Sequence, residues 1–190
     1  LAPALALPEP VKLVCREDRL ETLAAELSIH RLDIVLADRP LPSNMDIRGY
    51  SHPLGECGIA FLAAKPLAQT LPSEFPACLD GTPLLIPGEE NALRAPLLRW
   101  LEKKSLTPTI VGEFDDSALM SAFGQAGVGV FPAPLTVAPM VMRQYDVVEL
   151  GRTSDIRERY FAISVERRLS HPAVVAVSEA ARRNLAETPV

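Results

Sequence analysis

Apolar runs, basic residues and cysteines are all in short supply in this sequence. No run approaches the ~18 to 20 apolar residues of a membrane-spanning helix, because prolines or charges interrupt every apolar stretch. A membrane partner is therefore not expected. Basic residues are outnumbered, 19 Lys and Arg against 24 Asp and Glu, which gives a net charge of −5. Without a basic stripe the chain lacks the phosphate-neutralising charge behind most nucleic-acid affinity, so these residues alone are not a DNA-binding module. The cysteines are only three, Cys15, Cys57 and Cys78. An odd count at spacings that match no zinc pattern excludes a disulfide scaffold and fits a reducing cytoplasm. The opening residues Leu1 to Pro10 have no initiator Met and no basic region, and Pro3, Pro8 and Pro10 break them. They read as the end of something that begins upstream, not as a signal peptide.

What is there reads as a folded α/β chain. Hydrophobic residues are 48% and charged residues 23% of the 190, a balance that excludes disorder. At this length roughly 70% of the unfolded surface can be buried, enough for one domain or two small lobes. The apolar run at 11–15 predicts a buried strand. Asp18, with Glu21 three residues on, is a variant of the capping box. Leu20, Leu23, Ala24 and Leu27 share one helix face, which predicts a core-facing helix over 19–29. A second apolar run at 32–37 completes strand, helix and strand, a βαβ unit whose strands are parallel. Residues 39–55 read as loop, 57–63 as a strand, and the Pro-rich stretch 66–83 as a linker into a second unit.

In that second unit, 84–86 predicts a strand and Pro87-Gly88 its turn. The next helix carries Leu93, Leu97, Trp100 and Leu101 on one face and starts at 92–95, since Pro96 is cheap only in a first turn. Residues 109–114 predict a strand. Asp115 or Asp116 caps a helix with Leu119, Ala122, Phe123 and Ala126 on its apolar face, and Gly127 ends it as a left-handed cap. Strand 128–131, a helical piece near 135–143, strand 147–150, a charged loop and strand 160–165 follow. Pro172 sits in the first turn of a last helix that runs to about 187. Strand 160–165 and this helix return to the first unit. The result is two lobes joined by two crossings, residues 1–68 with 156–190 and residues 69–155.

Motifs for chemistry are sparse. Gly124-Gln-Ala-Gly127-Val-Gly129 has dinucleotide-loop glycines, but they follow a helix and precede a strand, the reverse of a phosphate-binding loop. A helix cap with tight packing explains them better. His30, His52 and His171 sit in polar, surface-like contexts. Cys15 and Cys57 read as small core residues, and Cys78 is also read as structural. No Gly-x-Ser-x-Gly elbow exists. The carboxylates Glu17, Asp18, Asp33, Asp38, Glu113, Asp115 and Asp116 raise the question of a metal. Caps and strand starts absorb most of them, leaving Glu17 and Asp38 open. Position says more than motif. In open α/β sheets, ligands bind beyond the carboxyl ends of parallel strands. Those ends carry Arg16, Glu17, Asp38 and Arg39 in one lobe. In the other they carry Pro87, Gly88, Glu89, Glu90, Asn91, Asp115, Phe131 and Ala133.

The strings Leu32-Asp-Ile-Val-Leu-Ala-Asp38, Pro53-Leu-Gly-Glu-Cys-Gly-Ile-Ala-Phe-Leu62, Phe75-Pro-Ala-Cys-Leu79 and Leu84-Leu-Ile-Pro-Gly88 resemble the LysR-type transcriptional regulators. Leu98-Arg-Trp-Leu101, Gly112 to Met120 and Ala126 to Ala133 continue the likeness, which spans nearly the whole chain. Within that family the chain is most similar to NhaR-type activators of sodium/proton antiporter genes. The resemblance implies an α/β fold of two Rossmann-like lobes, periplasmic-binding-protein-like, with an effector in the cleft between them. It also implies that the family's winged helix-turn-helix and the first strand of lobe I lie outside this sequence.

The expectation is an effector-sensing regulatory domain, not an enzyme, with no cofactor. Its effector, a small molecule or cation, is contacted by Glu17, Asp38, Arg39, Gly88, Glu89, Asn91, Phe131 and Ala133. Asp38 and Glu89 are the residues expected to respond to cations or protons, and metal ligands are left unassigned. The family's members associate as dimers or tetramers through regulatory domains, with helices 19–29 and 116–126 as candidates here. Promoter DNA is reached only through the DNA-binding domain. The rival readings are a two-lobe solute-binding protein of a transporter, which predicts an export signal upstream, and a small α/β enzyme using Cys78 or a carboxylate pair.

Overall fold

Helix α1 (Ala2–Leu5) is short, and Ala4 alone in it is buried. The segment that follows is not a strand. Residues 10–19 carry no regular structure, because a strand exists only as a rung of a ladder and this run has no paired edge. Its alternation serves packing instead: Val11 and Leu13 lie on Ala4, Ala173 and Val177, while Val14 and Cys15 are exposed. Cys15 is thus a surface thiol and not a core residue. The structure, a computed structural model, describes residues 2–45, 47–72 and 74–186.

Helix α2 (Leu20–Ser28) buries Leu20, Ala24 and Leu27, the stripe its spacing predicts. The expected capping box is not formed. Arg19 occupies the cap without a side-chain bond, and Asp18 Oδ1 instead accepts from the Arg19 N–H at 2.7 Å, one residue short of the helix. Strand β1 (Val35–Ala37) pairs antiparallel with β6 (Val147–Ser164), Val35 opposite Ile163. The predicted βαβ unit is therefore absent here: the first strand is missing from the ladder and β1 runs against its neighbour. Strand β2 (Tyr50–Ala64) begins inside the expected loop 39–55. Pro53 is tolerated because it lacks only a donor, and its carbonyl accepts from Arg182 Nε at 3.3 Å.

The described residues form two compact units, one of 2–56 with 159–186 and one of 57–158. The chain passes between them within β2 and again within β6. The first unit is closed by α7 (Pro172–Ala186), which starts at Pro172 as predicted. Its expected end near 187 lies outside the described residues. Leu20, Leu27, Val35 and Ile163 make one core cluster of this unit.

In the second unit the Pro-rich stretch is largely structured. Pro66 sits in the first turn of α3 (Lys65–Thr70), where its missing N–H costs nothing. A single 3₁₀ turn over Ala77–Leu79 buries Cys78 and Leu79. Strand β3 (Pro83–Pro87), helix α4 (Arg94–Lys103) and strand β4 (Thr109–Phe114) then make a parallel βαβ unit, Leu84 opposite Ile110. On its other side β3 bridges in parallel to Val130. Leu97, Trp100 and Leu101 of α4 pack with Phe61, Leu84, Ile86 and Ile156. The Phe61 and Trp100 rings stack at 5.4 Å between centroids.

Three expectations fail in this unit for identifiable reasons. Helix α5 (Ser117–Gln125) buries Met120, Ser121 and Gly124, while Leu119 is 50% and Phe123 44% exposed. The small face turns inward because the Phe131 ring occupies the space a side chain at Gly124 would need. Strand β5 is Phe131–Pro134, not 128–131, and pairs antiparallel with β2. Residue 128 is taken up by the end of α5, which closes as a Schellman motif: Gly127 N–H donates to the Gly124 carbonyl and Val128 N–H to that of Phe123. The charged loop after Gly151 is instead the middle of β6. Ile156 turns inward there, while Arg152 pairs with Glu149 and Asp155 with Lys104. Helix α6 is Ala138–Tyr145.

Candidate functional site

The parallel pair β3 and β4 ends on one side at Pro87 and Phe114, and the chain that leaves each end is polar, Gly88-Glu-Glu-Asn91 after β3 and Asp115-Asp116 after β4. Gly88 N–H donates to the Phe114 carbonyl at 2.8 Å, which ties the two strand ends together. Gly88 is glycine for steric reasons. A Cβ there would fall on Asp115 Oδ1. Glu89 and Glu90 follow and are exposed. Asn91 turns the chain into α4: its side-chain Oδ1 accepts from the Leu93 N–H at 2.9 Å, and its carbonyl accepts from the Arg94 N–H. Asp116 Oδ1 performs the same office for α5, accepting from Ala118 and Leu119 N–H at 2.7 and 3.1 Å, so Asp116 and not Asp115 is the cap.

Arg94, which the sequence reading passed over, organises this corner. Its Nη1 donates to the Pro87 carbonyl at 2.9 Å and to Glu113 Oε2 at 2.7 Å, and its Nη2 donates to Glu113 Oε1 at 3.0 Å. One guanidinium thereby joins the last residue of β3 to the next-to-last of β4. Hydrogen bonding to Arg94 holds the Glu113 carboxyl below the usual carboxylate range, against some desolvation and with help from the charge. The same bond to Glu113 raises Arg94, and Glu89 adds a weaker attraction. The available signal was its position, the first residue of the helix that follows the β3 turn. Phe131 and Ala133 lie on β5 and are buried, Phe131 fully.

In the first unit, Arg16 Nη1 donates to both carboxylate oxygens of Glu26, at 2.9 and 2.8 Å, so its charge serves α2. Glu17 is exposed, and Asp38 and Arg39 are half-buried just past β1. Arg39 Nη2 lies 4.0 Å from Glu21 Oε1 on α2. Among the described residues no group of three or more His, Cys, Asp or Glu could hold a metal ion. His52 is partly buried and bonded, contrary to its surface-like reading. Ser164 Oγ donates to the Glu166 carbonyl at 2.8 Å, which leaves His52 Nε2–H to donate to Ser164 Oγ and the same carbonyl at 3.1 and 3.2 Å. His30 and His171 are exposed. Burial pushes the Cys78 thiol up, which keeps it protonated and unreactive. Among the described residues no helix is long and apolar enough to cross a membrane.

A parallel βαβ body with a polar loop beyond its strand ends, in a chain that crosses twice between two units, is the plan of a periplasmic-binding-protein-like α/β domain. The chain belongs to a family of that class: residues 3–186 match the LysR substrate binding domain. It is 41% identical over 166 residues to the transcriptional activator protein NhaR of Escherichia coli K12, and equally to that of Shigella flexneri. The match covers 87% of this chain and 54% of each relative, so the chain spans about half the length of the curated relatives it matches. The fold is that of solved LysR-type regulatory domains. The regulatory domain of HypT from Salmonella typhimurium superposes with a TM-score of 0.69 at 14% identity, covering 98% of this chain and 89% of that one. Reduced OxyR from N. meningitidis gives 0.66 at 16%, covering 98% and 88%. The effector binding domain of QuiR in complex with shikimate gives 0.63 at 14%, covering 91% and 81%.

Proposed function

We propose that this chain is the effector-sensing part of a transcriptional activator of sodium/proton antiporter genes, non-enzymatic and cytoplasmic. The observation that carries the reading is the 41% identity to two NhaR activators over 87% of the chain. The effector, a small molecule or cation, is contacted by Glu17, Asp38 and Arg39 and by Gly88, Glu89, Asn91 and Ala133, while Phe131, fully buried against Gly124, supports β5 from within and is out of the effector's reach. It acts by binding one arrangement of the regulator more tightly than another, since a ligand shifts an equilibrium only by its differential affinity. Promoter DNA is engaged by a winged helix-turn-helix in the same polypeptide, because a net charge of −5 gives these residues no hold on phosphates. Association into dimers or tetramers runs through the regulatory domains, with the exposed Leu119 and Phe123 on α5 supporting that face.

The test is a chimera in which this chain replaces the matching part of Escherichia coli NhaR, read by an antiporter-promoter reporter with sodium, lithium or potassium at constant ionic strength. The reading expects a sodium- or lithium-dependent reporter that weakens in D38N and E89Q chimeras. A chimera that occupies the promoter but gives the same output in all three cations removes cation sensing and favours a small organic effector.

A further inference from the structure

The Arg94 guanidinium is in direct contact with the ends of β3 and β4, and its Nη1–Nη2 edge is already occupied. We propose that the Arg94–Glu113 pair sets the ligand class of the β3–α4 loop: Glu113 fills the guanidinium as a built-in carboxylate, and the loop therefore takes neutral or cationic groups and rejects carboxylates. This rests on the reading that Gly88–Asn91 contact the effector.

The argument is one of donors and charge. A guanidinium has five N–H donors, and paired donation to a carboxylate is its strongest mode of anion recognition. In this structure Arg94 is oriented by the Pro87 carbonyl, is 18% exposed, and gives its two terminal nitrogens to the two oxygens of Glu113. An incoming carboxylate that seeks the same Nη1–Nη2 edge has to displace a partner held on the adjacent strand, whose effective concentration far exceeds that of a free ligand. What remains around the pair is acidic. Glu89 adds a weak attraction to the guanidinium, and the Asp115 carboxylate packs on Gly88. An anion therefore meets a neutralised cation beside like charge, and is turned away twice.

Replacement of Glu113 by glutamine keeps an acceptor for Arg94 but removes the charge, which exposes the guanidinium to an external anion. The experiment is a titration of the 190-residue chain with acetate against chloride at constant ionic strength, reading the Arg94 Nε–Hε resonance. Wild type shows no acetate-specific shift. E113Q, and E113S in parallel in case the glutamine variant is poorly folded, show a saturable shift, and E113Q/R94Q loses acetate binding measured by calorimetry. Equal responses of wild type and the Glu113 variants overturn the proposal, as does acetate binding that survives loss of Arg94. The underlying reading is tested separately by E89Q and N91A in the reporter chimera. If these leave the response to every inducer unchanged, the loop is not the effector site, whatever acetate does at Arg94.

Discussion

Gly88 and Asp115 share one space: the hydrogen of the glycine points where the Asp115 carboxylate sits, and a methyl group there would overlap Oδ1. The contact fixes how the chain leaves β3 beside the chain that leaves β4. A G88A variant has to swing Asp115 aside, and since the carboxylate is at the end of a rotatable side chain the expected loss is modest, about 1 kcal/mol, the low end for overpacking. The decisive measurement is a double-mutant cycle by urea denaturation. G88A should cost less in a D115A background, by more than the ~0.5 kcal/mol within which independent sites add. Simple additivity would show that the two residues do not compete.

Gly124 presents the same problem with a stiffer neighbour. Alanine in a helix is favoured over glycine by ~1 kcal/mol, which by itself makes G124A stabilising. The fully buried Phe131 ring lies where the new methyl would go, and it has no solvent to turn into. Overpacking of this kind costs ~1–3 kcal/mol, so the steric term wins and G124A is destabilised. A raised melting temperature for G124A would refute the packing described for α5.

Much of this fold was legible in the sequence, and the misses have physical causes. Residues 109–114, the start of α4 near Pro96, the Gly127 stop and the Pro172 start depend on local rules and fall where those rules put them. The strand at 11–15 fails because apolar periodicity reports a buried edge but not a partner to pair with. The inward face of α5 was misassigned because Leu119 and Phe123 outweigh Gly124 by hydrophobicity, whereas packing selects the residue that leaves room for Phe131. At the site, Gly88 and Asn91 follow from turn chemistry beyond a strand. Arg94 does not, since its role depends on two strand ends being adjacent in space.

Acidification tests the ion pairs. Asp155 is held below its ordinary value by hydrogen bonds from Lys104 and Trp100 Nε1–H, Asp80 by the backbone and side chain of Thr107, and Glu113 by Arg94. Each is a carboxylate depressed in the folded state. Its contribution is present above the unfolded value, near pH 4, and is lost as pH falls through the lower folded value. Melting temperature should therefore drop below about pH 4, and D80N and D155N should flatten that drop while lowering stability at neutral pH. Trp100, the single tryptophan, reports Asp155 directly, so its fluorescence should titrate in the same acid range in wild type and not in D155N. An unchanged acid profile in both variants would remove these contacts as the cause.

The exposed apolar face of α5 separates a packing role from an association role. Leu119 and Phe123 are about half exposed, the Phe123 ring lies 5.2 Å from that of Phe114 on β4, and Ile110 and Val111 of the same strand are exposed as well. Surface substitutions away from special features change stability by less than ~0.5 kcal/mol, whereas removing a fully buried leucine such as Leu97 costs ~2–5 kcal/mol. If α5 presents this face to a second copy, L119E leaves the urea midpoint of dilute protein almost unmoved but shifts sedimentation at high concentration toward monomer, because it places a desolvated charge in the contact. L97A does the opposite, lowering stability while leaving the association of the folded fraction intact. Destabilisation by L119E comparable to that by L97A would mean that this face is covered within the chain, and dimer formation through α5 would have to be abandoned.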